Sequence, residues 1–124
     1  MRNSGLADTS YKIPGGGFIS TVGDLAKFAI AMQEGTLVKK ETLAQMWTEQ
    51  KTRDSKGTGY GLGWGVSERM GVKEVHHGGA QQRVSTFLYT NPEKGLAVVL
   101  MTNLENISGG LANLSREIAH LLLQ

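Results

Sequence analysis

The chain has 124 residues, a formal net charge of +2 and no cysteine. Without cysteine there is no disulfide scaffold, zinc finger or iron–sulfur site, and the balance of apolar and charged residues is not that of a disordered chain. The basic residues are scattered rather than gathered into the stripe that nucleic acid requires, and no run approaches the roughly 18–20 apolar residues of a membrane span.

A chain this long supports one small domain at most, or part of one, over residues 1–124. Residues 1–12 are polar and aperiodic and read as a loop. They lack the apolar core of a signal peptide, and the compartment stays open. Pro14-Gly15-Gly16-Gly17 breaks the chain and lets the backbone approach other groups closely. Thr21 then caps a helix, with Asp24 three residues on. Leu25, Phe28, Ala29 and Met32 form its apolar stripe, and Gly35 follows its last turn. A second short helix is predicted over Lys40–Thr48, burying Leu43, Met46 and Trp47. Gln50–Thr58 is polar and reads as a loop.

Tyr60–Val66 alternates and predicts a strand, with Tyr60, Leu62, Trp64 and Val66 on one face and Gly61, Gly63 and Gly65 on the other. A glycine face implies something lying close against it, a helix or a substrate. Further strands are predicted over Val72–His77, Arg83–Thr90 and Leu96–Thr102, the last apolar enough to be covered on both faces. Asn91–Gly95 is a turn. Residues 103–110 are a loop ending in Gly109-Gly110, and a final helix carries Leu111, Leu114, Ile118, Leu121 and Leu122. Helices and strands are segregated and the later strands are joined by short turns. The expected fold class is therefore α+β, an antiparallel sheet with helices packed on it.

Three histidines are present, at positions 76, 77 and 120. His120 lies near the end of the last helix, where it complements the dipole. His76 and His77 are adjacent in a strand, so their rings point to opposite faces and do not chelate one metal; no metal and no cofactor is expected. Gly61-x-Gly63-x-Gly65 lacks the spacing and the following helix of a dinucleotide site. Gly15–Gly17 lacks the Gly-Lys-Ser/Thr ending of a phosphate loop.

Several ordered stretches resemble the serine β-lactamase-like family, which includes class C β-lactamases, penicillin-binding D-Ala-D-Ala peptidases and family VIII esterases. They are Ile13-Pro-Gly-Gly-Gly-Phe-Ile-Ser-Thr-Val-Gly-Asp-Leu-Ala-Lys-Phe28, Gly59-Tyr-Gly-Leu-Gly-Trp-Gly65, His76-His77-Gly78-Gly79-Ala80 and Asn91-Pro-Glu-Lys-Gly-Leu-Ala-Val-Val-Leu-Met-Thr-Asn103. The resemblance covers roughly residues 10–124 and implies the C-terminal portion of a β-lactamase/transpeptidase-like fold. It places His77-Gly78-Gly79 on the family's third active-site motif. His77 then takes the cationic position, and the backbone N–H of Ala80, after Gly79, supplies part of the oxyanion hole. A histidine lacks the permanent charge of the lactamase lysine, which leans the reading toward an esterase or peptidase.

The family's nucleophile is the Ser of Ser-x-x-Lys, and no Ser here has Lys three positions on. Tyr89-Thr-Asn91 has the letters of the second motif, Tyr-x-Asn, but follows the third, and Asn91 is assigned to the turn. The expected function is thus the C-terminal segment of a serine hydrolase acting on a small-molecule ester, peptide or β-lactam substrate, inactive alone, from a periplasmic or secreted parent. The alternative is a non-catalytic ligand- or partner-binding module. The apolar Leu96–Met101 run near a bare sheet edge also predicts self-association.

Overall fold

A computed structural model describes Asp8, Ser10–Lys12 and residues 14–124. Most of the predicted N-terminal loop lies outside the described residues; Ser10–Lys12 form a single 3-10 turn. Three helices and four strands follow: α1 (Val22–Glu34), α2 (Lys40–Met46), β1 (Gly65–Arg69), β2 (Val72–Gln81), β3 (Val84–Asn91), β4 (Leu96–Thr102) and α3 (Ser108–Leu122). The strands form one antiparallel sheet in sequence order, with β1 and β4 at its edges. The fold is α+β.

Local chemistry sets the ends of α1. The Thr21 hydroxyl accepts the Asp24 backbone N–H at 3.1 Å, and Gly35 stops the helix at φ 77°, a conformation that favours glycine. Ala29 and Met32 are its buried residues.

The sheet separates two apolar layers. On one face Val75 and Leu88 meet Ala29, Met32, Leu43, Trp47 and Trp64, with Ala97 and Val99 beside them. On the other, Phe87, Tyr89 and Val98 meet Leu111 and Ala119 of α3, joined by Leu96 and Leu100. β4 contributes alternate residues to both layers, as its unbroken apolar run requires. α1 packs on β4, and α3 crosses β2, β3 and β4. Under α3, Glu74 is 5% exposed, and its carboxylate accepts the Arg116 Nε–H at 2.9 Å. A carboxylate buried this far requires such a partner.

Several predicted boundaries move: the second helix ends at Met46 rather than Thr48, and the third strand runs to Asn91. Tyr60–Trp64 is a turn rather than a strand; the Gly61 N–H donates to the Trp64 carbonyl at 2.7 Å, and Gly63 sits at φ 80°. Only Trp64 of that stretch's large side chains is buried; Tyr60 is 43% and Leu62 51% exposed. β2 continues four residues past His77, so the His-Gly-Gly stretch lies inside the strand. Arg83 belongs to the β2–β3 turn, at φ 64°. α3 begins at Ser108 and takes in both glycines of the predicted loop. Its buried residues are Leu111, Ser115 and Ala119, whereas Leu114, Leu121 and Leu122 of the predicted stripe are exposed. Small residues face the sheet because the helix backbone lies close to it.

The turn is fixed by one close approach. The Leu62 N–H donates to the Met46 carbonyl at 3.0 Å, and a Cβ at Gly61 would fall inside the contact radius of that carbonyl oxygen. Backbone cannot yield as a flexible side chain would. Gly61→Ala is therefore expected to destabilise the chain by about 1–3 kcal/mol, read as a lower melting temperature; an unchanged melt would show that the loop and α2 separate freely.

Candidate active site

The candidate residues His77, Gly79 and Ala80 lie within β2. His76, Gly78 and Ala80 face α3, and His77 and Gly79 face the α1 side, as their cross-strand partners show: His76 pairs with Tyr89, His77 with Leu88. The glycines answer to β3. A Cβ at Gly79 would strike the Thr86 hydroxyl, and one at Gly78 would press on the Phe87 ring at 3.3 Å.

Hydrogen-bond parity leaves part of β2 unpaired. The Val66 N–H turns away from β2 and donates to the Gly59 carbonyl at 2.9 Å. Val66 and Val75 are therefore a non-hydrogen-bonded pair, and Val75 directs its own backbone groups to β3. Alternation sends those of His77, Gly79 and Gln81 to β3 as well, and those of Gly78 and Ala80 to the opposite side. β1 ends its pairing at Gly65↔His76. Among the described residues nothing hydrogen-bonds the N–H or C=O of Gly78 or Ala80 on that side.

A groove of about 400 Å³ runs along this edge, lined by Tyr60, His76, His77, Gly78, Ala80 and the start of α3. The two histidines differ in surroundings. His77 is exposed, and its ring meets the edge of Tyr60 at 6.3 Å between centroids and 68° between planes. His76 is half-buried and stacks on Phe87 at 5.3 Å and 22°. Its imidazole lies over Gly65, where a Cβ would collide with the ring. Burial holds the His76 pKa below the usual histidine value; the Arg116 guanidinium adds to this, the Glu74 carboxylate opposes it, and His77 lowers it slightly further.

The larger cavity, about 660 Å³, lies beside α3 at the other end of the sheet, near Glu74, Tyr89 and Arg116. It is lined by none of His77, Gly78, Gly79 and Ala80. Tyr89 and Asn91 are buried and line that other cavity. The Asn91 Oδ1 accepts the Lys94 N–H at 3.1 Å and closes the turn. Among the described residues no group of three or more His, Asp or Glu could hold a metal, and no helix is long and apolar enough to cross a membrane. The alternation of Tyr60–Val66 marks Tyr60 only as a strand residue. Its place in the groove depends on the turn, which the alternation of Tyr60–Val66 conceals.

The two rings predict different failures. His76→Ala should cost about 1–3 kcal/mol of stability through loss of the Phe87 stack and the packing over Gly65, and His77→Ala should leave the melt nearly unchanged. With the His76 pKa lowered on folding, the unfolded chain takes up the proton first as pH falls. Stability is thus full above the unfolded value, about 6.5, and declines as pH drops through it toward the folded value. Melting curves between neutral and mildly acid pH should show this decline in the unaltered chain and a smaller one in His76→Ala. A decline that persists in His76→Ala and vanishes in His77→Ala would reverse the assignment.

The comparisons with known proteins bear on the family. A family model described as Beta-lactamase matches residues 1–122. The chain is similar to the human "Serine beta-lactamase-like protein LACTB, mitochondrial", 32% identical over 157 residues that cover 94% of this chain and 28% of that protein. It is likewise similar to the mouse protein of that name, 32% identical over 130 residues covering 90% of this chain and 23% of the other. The chain thus spans less than a third of the length of these curated relatives. A family model that matches nearly the whole chain, relatives 32% identical over most of it, and an antiparallel sheet with helices packed on it have one conclusion: the chain belongs to the Beta-lactamase family.

Proposed function

We propose that this chain supplies the third-motif edge of a serine hydrolase that works through an acyl-enzyme on an ester, peptide or β-lactam substrate, and that it is inactive alone. The observation that carries the reading is the unpaired stretch of β2 at Gly78 and Ala80, beside an exposed His77. The Ala80 N–H would donate to the oxyanion formed when a serine attacks the substrate carbonyl. A donor fixed in a strand needs no reorganisation as that charge develops. Gly79 keeps the strand close to β3 at Thr86, which fixes where the Ala80 donor points. His77 would orient a polar group of the substrate. Having no permanent charge, it favours esters and peptides over a lactam carboxylate.

The attacking serine and its base would come from outside these 124 residues, which contain no Ser-x-x-Lys. The chain alone is therefore expected to hydrolyse neither a chromogenic ester nor a chromogenic cephalosporin above background. The check is a stopped-flow burst measurement with mass spectrometry for an acyl adduct; an adduct on a serine of this chain would refute the reading. In a longer protein that carries Ser-x-x-Lys and Tyr-x-Asn ahead of this sequence, His77→Ala should lower kcat/KM by about 10²-fold. There His77→Lys should shift selectivity toward substrates bearing a carboxylate.

The chain is also expected to self-associate. β4 is an edge strand with apolar residues on both faces, and Leu121 and Leu122 of α3 are 70% and 64% exposed. Bare edges and apolar patches favour pairing with another chain. Sedimentation velocity should show concentration-dependent association; a monodisperse monomer with sharp cooperative unfolding would count against this part of the proposal.

A further inference from the structure

The geometry points to Tyr60 as the positioning residue for His77: its ring holds the imidazole in one orientation over the groove. This rests on the reading of His77 as the group that orients substrate. Along β2 the same-face neighbours of His77 are Val75, which is fully buried, and Gly79, which has no side chain. On the groove side nothing on its own strand therefore supports the ring. Among the described residues no group hydrogen-bonds it either. An exposed imidazole so placed would move among its staggered rotamers.

Tyr60 supplies the missing wall. It meets His77 edge to face, 6.3 Å between centroids, within the range of favourable aromatic pairs. The Tyr60 backbone is itself held. Its N–H donates to the Thr58 hydroxyl at 3.2 Å, and its carbonyl accepts the Gln50 N–H at 2.8 Å. The next residues are pinned to the Met46 carbonyl. Trp64, at the far end of the turn, is buried against Trp47 edge-on at 6.2 Å and beside Phe28 at 6.3 Å. The core thus sets the backbone from which the Tyr60 ring projects, and that ring meets the exposed histidine. Tyr60 also forms an isolated bridge with Gly65, the residue at which β1 stops covering β2, so the ring stands where the unpaired edge begins.

The test uses the isotope-labelled chain and three measurements. Nuclear Overhauser contacts between the Tyr60 ring and the His77 imidazole report their juxtaposition, and side-chain couplings report the His77 χ1 population. Titration with N-acetylalanine methyl ester, followed at the Gly78 to Ala80 amides, reports the groove. The unaltered chain should show the contacts and one dominant rotamer. Tyr60→Phe keeps the ring and should preserve both. Tyr60→Leu should lose the contacts and average the rotamers, and the ester midpoint should rise roughly two- to tenfold, the worth of an aromatic pair. Absence of the contacts in the unaltered chain, or a His77 rotamer that stays single in Tyr60→Leu, would overturn the inference. An ordered His77 that disorders in Tyr60→Leu supports positioning even if the ester perturbs no amide of the edge; that second result would count against the proposed function alone.

Discussion

The close approach of Gly61 to the Met46 carbonyl is the contact on which the rest of the site depends. It joins the end of α2 to the turn before β1 and so decides where the sheet starts. Because the chain must reverse there, Trp64 drops into the core and Gly65 becomes the first residue of β1. β1 therefore covers β2 as far as His76 and no further. That the backbone groups of Gly78 and Ala80 have no partner among the described residues follows from that stopping point, not from any feature of the glycines themselves.

Glycine serves a different neighbour at each position along this path. Gly61 admits a backbone oxygen, Gly65 admits the His76 ring, and Gly79 admits the Thr86 hydroxyl. Read as a strand face, the first two suggest a surface for a helix or substrate. Folded, they are clearances inside the protein, and the free strand edge beside them comes from backbone parity. The same parity separates the histidines. One ring is drawn beneath α3 toward the Glu74–Arg116 pair, where desolvation governs it, and the other is left in solvent beside a tyrosine.

Much of this was legible in the sequence, for physical reasons particular to each element. α1 carries both its end signals, Thr21 and Gly35, and both operate as predicted. The unbroken run of β4 implied cover on both faces, which α1 and α3 provide. The alternation of Tyr60–Val66 misled because period two is also produced by a turn whose glycines fall at every second position; nothing in the spacing reveals that Gly63 takes positive φ. On α3 the leucines drew the predicted stripe away from Ser115 and Ala119, since a pattern weighted by apolarity passes over small residues that allow close packing. The divergence of His76 and His77 followed from strand geometry alone. The wall that Tyr60 makes did not, because it depends on a tertiary contact between α2 and the turn.

The order of the strands also bears on how the chain folds. Every sheet neighbour is the next strand in sequence, so the meander assembles from local hairpins, which close in roughly 1–10 μs. Of the packed element pairs, α1 against β4 spans the greatest stretch of chain, and the entropy of closing that loop must be met before the contact contributes. Docking of α1 is then the late event. Substitutions at Ala29 and Met32 would accelerate unfolding far more than they slow folding, giving φ-values near zero, while those in the β2–β3 hairpin would act on the folding rate.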